Sequence, residues 1–355
     1  MPVLTSDTLQ ALTRAICVAG GSVEREAELV ADQLVEANLA GHDSHGVGML
    51  PFYVDSIGNG SLVANQHADL ITDQGAVLVV EGQRGYGQVI GHEAMLLGMA
   101  KAHDQGIALM AVRNSFHLGR IGHWAEQCAR GGYASIHFVN GIDHRPLQAP
   151  FGAADARMST NPFCAALPGD DGPAIVLDMA TSMIAVGKAR VAMNKGVPVP
   201  EGSLLDAEGR LVRDASHMFE EPHGALVAMG EHKGSGLAIL CELLAGALTG
   251  GWTVHPKHPQ AGGSINNMLS IIIDPDTLGG HRHFVDETRD MLDWIKTARP
   301  REGFDEVLVP GEPEQRHRAD RLAHGIEVDE RSWQEILTAA TTAGMSAQQI
   351  DALVN

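Results

Sequence analysis

Apolar and polar positions recur with two different periods along this chain, and the change of period divides it. The N-terminal segment is helical in pattern. Leu9, Leu12 and Ile16 share one face of a segment that Ser6 and Asp7 can cap and that Gly20 and Gly21 end. Ser22 is placed to cap a second helix, with Glu24 and Glu26 in a first turn whose dipole favours acids. Its stripe is Ala27, Val30, Ala31, Leu34 and Val35; Asn38 interrupts it and Gly41 stops it, so HDSHGVGML follows as a turn. The C-terminus mirrors this pattern. Trp333, Ile336, Leu337 and Ala340 form one stripe, and Ser346 caps a short last helix carrying Ile350 and Leu353. The two helical ends are expected to pack as one layer.

Between them the period shortens. β-rich runs occur at Ala76 to Glu81, Ile107 to Val112, Ala134 to Val139, Ala174 to Leu177 and Leu269 to Ile273, several of them separated by helical patterns. This predicts an α/β chain in two parts: a helical domain from 1–75 with 312–355, and a mixed α/β domain over 76–311. Gly234 to Leu248 is apolar on nearly every face, with Glu242 its only charge, which predicts a helix buried on all sides. The preceding EHKG places Lys233 and free backbone N–H groups at a helix start suited to an anion.

Composition narrows the partners. With 25 Lys+Arg against 44 Asp+Glu, the net charge is −19, which opposes nucleic acid and anionic membrane surfaces. No apolar run approaches the ~20 residues of a membrane helix, and MPVLTSDTLQ lacks the basic and apolar regions of a signal peptide. Cys17, Cys128, Cys164 and Cys241 stand alone, as free thiols in a reducing cytoplasm do. A cytoplasmic protein is expected.

Four segments concentrate reactive side chains. HDSHG sets His42 and His45 beside Asp43 and Ser44, a combination open to general acid catalysis, to metal ligation, or to a polar helix end bonding its own carbonyls. NSFHLGRIGHW (114–124) supplies His117, Arg120 and His123 after a strand; Arg120 could clamp a carboxylate, contact cofactor phosphates, or pair with Glu126. STNPF (159–163) and LDMATS (177–182) hold small polar residues, and a helix capped at Asp178 or Thr181 explains the second. EHKGSG is the fourth. The G-x-G-x-x-x-G at Gly85, Gly87 and Gly91 lies too far past its strand, with no acid after the next, to read as a dinucleotide fingerprint; a loop and helix start explain it.

Taken in order, GHDSHGVGMLPFYV, NSFHLGRIGHWAEQCARGG, STNPF, LDMATS with Gly187-Lys188, GVPVPEG, EHKGSGLAILCELLAGALTGG and the late PGE resemble the type 2 malate/L-lactate dehydrogenase family over nearly the whole chain. Within it they look most like the hydroxycarboxylate dehydrogenase B group. The resemblance implies a non-Rossmann fold with a mixed-sheet core and a helical layer from both termini. It implies hydride transfer between a nicotinamide dinucleotide and a 2-oxo/2-hydroxy acid, in a homodimer with its site near the interface. The same family would also accommodate reduction of a cyclic imine carboxylate or a ureidoglycolate-type oxidation.

By this resemblance His45 matches a proton donor, with Ser44 beside it and Asp178 as relay partner. His117 matches a second acid/base histidine, and both are carried. The cofactor contacts implied are Gly119, Asn140, Asp178, Met179, Ala180, Lys188, His232, Lys233, Gly311 and Glu312, with NADH favoured over NADPH and no metal. Thr160, Gly48 and Arg120 are the substrate contacts. Many members carry an arginine shortly after SHGV; here Gly48 and Met49 stand there, so Arg120 is expected to replace it and Gly48 to leave room for a larger substrate side chain.

Overall fold

A computed structural model of the chain describes residues 1–258 and 263–354. The first part runs β1 (Val3–Leu4), α1 (Ser6–Ala19), α2 (Glu24–Leu39), α3 (Leu50–Gly58), β2 (Asp69–Gln74), β3 (Val77–Glu81), α4 (Gly87–Gln105) and β4 (Ile107–Phe116). It continues with α5 (Gly122–Arg130), β5 (Ala134–Ile142), β6 (Phe163–Gly169), β7 (Gly172–Met179), α6 (Val186–Lys195), β8 (Leu204–Leu205), β9 (Leu211–Val212) and β10 (Ala225–Leu226). The last part is α7 (His232–Cys241), a π-helix (Glu242–Leu248), β11 (Ile265–Ile273), α8 (His281–Lys296), α9 (Glu312–His324), β12 (Ile326–Glu327), α10 (Glu330–Thr342) and α11 (Ala347–Val354).

The expected mixed sheet forms, with seven strands in the order β2-β3-β4-β11-β5-β6-β7. β3 and β4 pair in parallel, whereas β11 lies antiparallel to both β4 and β5, and β6 antiparallel to both β5 and β7. Strands β3, β4, β5 and β7 therefore point the same way. Their C-terminal ends, at Glu81, Phe116, Ile142 and Met179, gather at one edge. β11 carries INNMLSIII almost wholly buried, as a central strand covered on both faces must be.

Three cores follow from the pattern. Leu9, Leu12, Ile16, Val30, Leu34 and Tyr53 pack with Trp333, Ile336 and Ile350, so the two ends of the chain share one helical layer. Leu78, Val80, Met110 and Val112 of the sheet pack under Ile90, Met95 and Trp124 from α4 and α5. A small third core joins α6 to the β8–β10 ribbon.

Several local expectations are corrected. Thr5, not Ser6 or Asp7, caps α1 by accepting from the Thr8 N–H. Ser22 does not cap α2; Asn65 Oδ1 takes the Val23 N–H instead, a contact from 42 residues away that local pattern cannot reveal. No helix starts at Asp178 or Thr181, because Thr181 is tied to the Thr160 carbonyl by both its N–H and its hydroxyl; the next helix begins at Val186. The apolar 234–248 stretch is not buried on all sides. Ile239, Leu240, Leu243 and Leu248 are 44–64% exposed, since only one face of α7 and the π-helix meets the sheet.

Candidate active site

The HDSHG segment folds as two tight helical turns, Asp43–His45 and Val47–Met49, held from α2 and α9. Asn38, the residue that breaks the stripe of α2, accepts the Val47 N–H at 2.8 Å and donates to Asp43 Oδ1 at 2.7 Å. Arg321 grips the same carboxylate with both terminal nitrogens, at 2.6 and 2.9 Å. His42 is turned away to Glu314, 3.2 Å distant. His45 is left facing the sheet edge, with Ser44 Oγ 3.0 Å from its Nδ1. Gly187 packs against this turn so closely that a Cβ there would lie 2.2 Å from that of Ser44, which places the neighbouring Lys188 beside the segment.

His117 leaves the C-terminal end of β4 and stacks on His45, with ring centroids 5.6 Å apart and planes 17° from parallel. The segments that sequence spacing separates by 72 residues are thus brought together. Both residues are partly buried. Burial pushes His45 down to about 4, against the opposing pull of the Asp178 carboxylate, and pushes His117 down to about 3. Both rings are therefore neutral at pH 7. The Nδ1 atom of His117 is engaged by Tyr53 Oη at 2.8 Å, so Nε2 is the nitrogen without a partner among the described residues.

Asp178, next to the end of β7, accepts the Gly122 N–H at 2.8 Å, which fixes the start of α5. It makes no hydrogen bond to His45, whose Nδ1 contact is Ser44; its influence on that ring is through charge. Arg120 is 4% exposed and donates to Glu126 at 2.5 Å, with its Nε 3.6 Å from Asp178. The expected free fork for a substrate carboxylate is therefore not present. A guanidinium buried this deeply must be paired within the protein, and Glu126 claims it.

The remaining expected residues divide. Asn140 lies at the correct sheet edge but is fully enclosed, donating to Glu242 at 3.2 Å and to the Trp252 carbonyl at 3.0 Å while accepting from Asn267. Its side chain serves the buried Glu242 carboxylate, which also takes Asn161 at 2.7 Å and the Val254 N–H, and so is not free for a cofactor. Met179 pairs with Phe163 at the end of β7, next to Ala180. Thr160 is partly buried and holds Thr181 through its carbonyl. Gly48 is open: a Cβ there would meet nothing nearer than the Asp43 carbonyl, at 4.0 Å. His232 and Lys233 are exposed at the start of α7. Glu312 caps its own turn at Val309 and pairs with Lys296.

Gly311 borders a recess of about 880 Å³ between α2, α5 and α9, lined also by Gln33, Gln88, Arg120, His123 and Gln127. Three buried polar atoms on that lining, Gln88 Oε1, Arg120 Nε and Gln127 Oε1, have no hydrogen-bond partner among the described residues. Tyr53, Gln33, Gln88 and the partly buried His144, which faces Ser159 at 3.4 Å, escaped the sequence reading. The signal was slight: single polar residues set among apolar neighbours on helices and at a strand end.

The family model described as malate/L-lactate dehydrogenase matches residues 4–337. Hydroxycarboxylate dehydrogenase B of Escherichia coli (strain K12) is 46% identical over 349 residues, covering 98% of this chain and 96% of its own. L-lactate dehydrogenase of Cupriavidus necator is 38% identical over 311 residues, with 87% and 89% covered. A solved structure from E. coli, assigned provisionally as a malate/lactate dehydrogenase, superposes with a TM-score of 0.94 at 45% identity, covering 99% of this chain and 98% of that one.

Proposed function

The chain belongs to the malate/L-lactate dehydrogenase family, and we propose that it moves a hydride between a nicotinamide dinucleotide and C2 of a 2-oxo/2-hydroxy carboxylic acid. The observation that carries this reading is the pair of stacked, neutral, partly open histidines at the sheet edge.

The residues present fit a dinucleotide. The recess has the volume of a cofactor site, and its three orphaned polar atoms want a polar occupant. Gly311, Gln88 and Gln127 would hold that occupant; Asp178, 3.6 Å from Arg120 Nε, lies outside the lining, and its charge acts on His45. When bound, the dinucleotide supplies the hydride donor or acceptor. NADH fits better than NADPH, because Asp32, Glu36, Glu126 and Glu314 line the recess. The arginines of its lining are already engaged, Arg318 by Glu36, Arg120 and Arg130 by Glu126 and Arg25 by Glu28, so a further phosphate would have to compete with carboxylates for them.

In the oxidising direction His45 takes the substrate hydroxyl proton at Nε2 as C2 gives up its hydride; in reduction it returns that proton to the carbonyl oxygen. Ser44 can donate to or accept from Nδ1 as the ring changes state, and the Asp178 charge favours the protonated ring. His117 faces the same oxygen. Gly48 leaves room for a bulky substituent on C3, such as an aryl group.

The apolar stripe of Ile239, Leu240, Leu243 and Leu248 supports a homodimer, because a second copy would cover it. Four buried free thiols suit a cytoplasmic setting. Absorbance of reduced nicotinamide with a panel of 2-oxo acids, cyclic imine carboxylates and ureidoglycolate tests the function. Turnover of 2-oxo acids is expected, and turnover of imines alone would overturn the reading. His45→Ala should lower kcat by ~10²–10⁴-fold while NADH binding, followed by fluorescence, changes little.

A further inference from the structure

Three buried polar side chains from three helices stand behind His117. Gln33 on α2 and Gln88 on α4 are 1% exposed, and Tyr53 on α3 is fully buried. Together they form one chain of hydrogen bonds, and its direction is set at the far end. Gln33 Nε2 lies 3.3 Å from the Leu118 carbonyl oxygen and 3.5 Å from that of Arg120. Carbonyl oxygens only accept, so the amide nitrogen of Gln33 must face them and its oxygen must face away. Gln88 Nε2 lies 3.3 Å from that oxygen and 2.9 Å from Tyr53 Oη, and its two N–H groups donate to both. The Tyr53 oxygen is then an acceptor on one side, and its own hydrogen goes to His117 Nδ1 at 2.8 Å.

The opposite polarity needs both amides reversed. Gln33 would then point its oxygen at two carbonyl oxygens, and Gln88 would bury an orphaned NH₂ group. The observed polarity leaves one orphan, Gln88 Oε1, at a cost of ~1–3 kcal/mol. It is the less costly arrangement.

We propose that Gln33, Gln88 and Tyr53 are positioning residues that lock His117 as the neutral Nε2–H tautomer, making it a fixed hydrogen-bond donor to the substrate's C2 oxygen. The catalytic half of this inference rests on the dehydrogenase reading; the tautomer does not. For His117 to accept a proton at Nε2, its Nδ1 would have to carry hydrogen towards Tyr53, whose own hydroxyl hydrogen would then have no acceptor. His45 is under no such constraint. Its Nδ1 partner is the Ser44 hydroxyl, which rotates to serve either tautomer. The two histidines therefore divide the work: His45 moves the proton, and His117 holds the oxygen.

The test is long-range ¹H–¹⁵N spectroscopy of the ¹⁵N-histidine-labelled full chain, with the His117 signals assigned from His117→Gln. A bare Nδ1 and a protonated Nε2 are expected in the wild-type chain around neutral pH. Tyr53→Phe, nearly isosteric, should give a mixture of tautomers and a kcat lower by about tenfold, with the KM for NADH changed by less than about twofold; loss of a single preorganised donor costs up to ~10²–10³. Gln88→Glu presents only acceptors to Tyr53 and should turn the ring over to Nδ1–H; Gln88→Met, which simply loosens Tyr53, serves if the acid does not fold. A protonated Nδ1 in the wild type, or an unaltered Nε2–H tautomer with unaltered kcat in Tyr53→Phe, would overturn the proposal. Absence of turnover with every acid in the panel would instead strike the dehydrogenase reading, with the tautomer result standing.

Discussion

At 4% exposure the Arg120 guanidinium is tolerated only because Glu126 and Asp178 stand beside it. The consequence for mutation is specific. Arg120→Met leaves a half-buried acid pair without its cation, and should lower stability by about 3–5 kcal/mol, read as a lower urea midpoint with unchanged slope. Arg120→Lys should recover only part of the loss, since an ammonium cannot satisfy two carboxylates with one planar fork. Unchanged stability with a selective rise in KM for 2-oxo acids would restore Arg120 as the carboxylate anchor. The catalytic histidine candidates were legible because each lies in a glycine-bounded turn where polar residues cluster. Tyr53, Gln33 and Gln88 were not, because a polar residue on a helix has the same sequence signature whether it faces solvent or a buried ring.

Elements were legible where their cause is local. The five β-rich runs all lie in strands of the seven-stranded sheet, and the stripes at both termini became α1, α2, α10 and α11. β2 and β6 were missed: β2 is mostly exposed, so it lacks an apolar alternation, and β6 contains Pro168. The glycines at 87 and 91 answer to packing. A Cβ at Gly87 would lie 2.2 Å from the His117 carbonyl oxygen, and one at Gly91 would lie 2.6 Å from the Trp124 ring. The largely apolar 234–248 stretch is not buried on all sides, and a sequence cannot distinguish a helix buried in its own chain from one that waits for another. If a second copy covers it, Leu240→Glu with Leu243→Glu should convert the wild-type dimer to a folded monomer, seen by light scattering after size exclusion with an unaltered circular dichroism spectrum. An active wild-type monomer at assay concentration would contradict the dimer.

Across the whole molecule, acid stability is governed by buried histidines against a strongly negative surface. His137, His117 and His123 are each pushed down to about 3 by burial, and His45 to about 4. A group whose folded value lies below its unfolded 6.5 binds more protons when unfolded. Its contribution is therefore complete above pH 6.5 and is lost as pH falls towards the folded value. His137 isolates the effect: it is fully buried on β5, flanked only by the Ser135 and Ser270 hydroxyls at 3.0 and 2.8 Å, and no charged group shares in its shift. Between pH 6.5 and about pH 4 that one residue should remove on the order of 3 kcal/mol, at ~1.4 kcal/mol per pH unit once titration is under way. The net charge of −19 works the other way, since protonating surface carboxylates relieves self-repulsion over part of the same range. Burial should win, because the surface term is spread through high-dielectric water and screened by salt whereas the imidazole is desolvated inside the sheet. Urea unfolding at a series of pH values in moderate salt should show stability falling steadily below pH 6.5. His137→Gln, which keeps hydrogen bonds to the two serines without a titrating group, should flatten that fall by the His137 share; an identical slope in the variant would show that His137 is protonated at no cost in the folded chain.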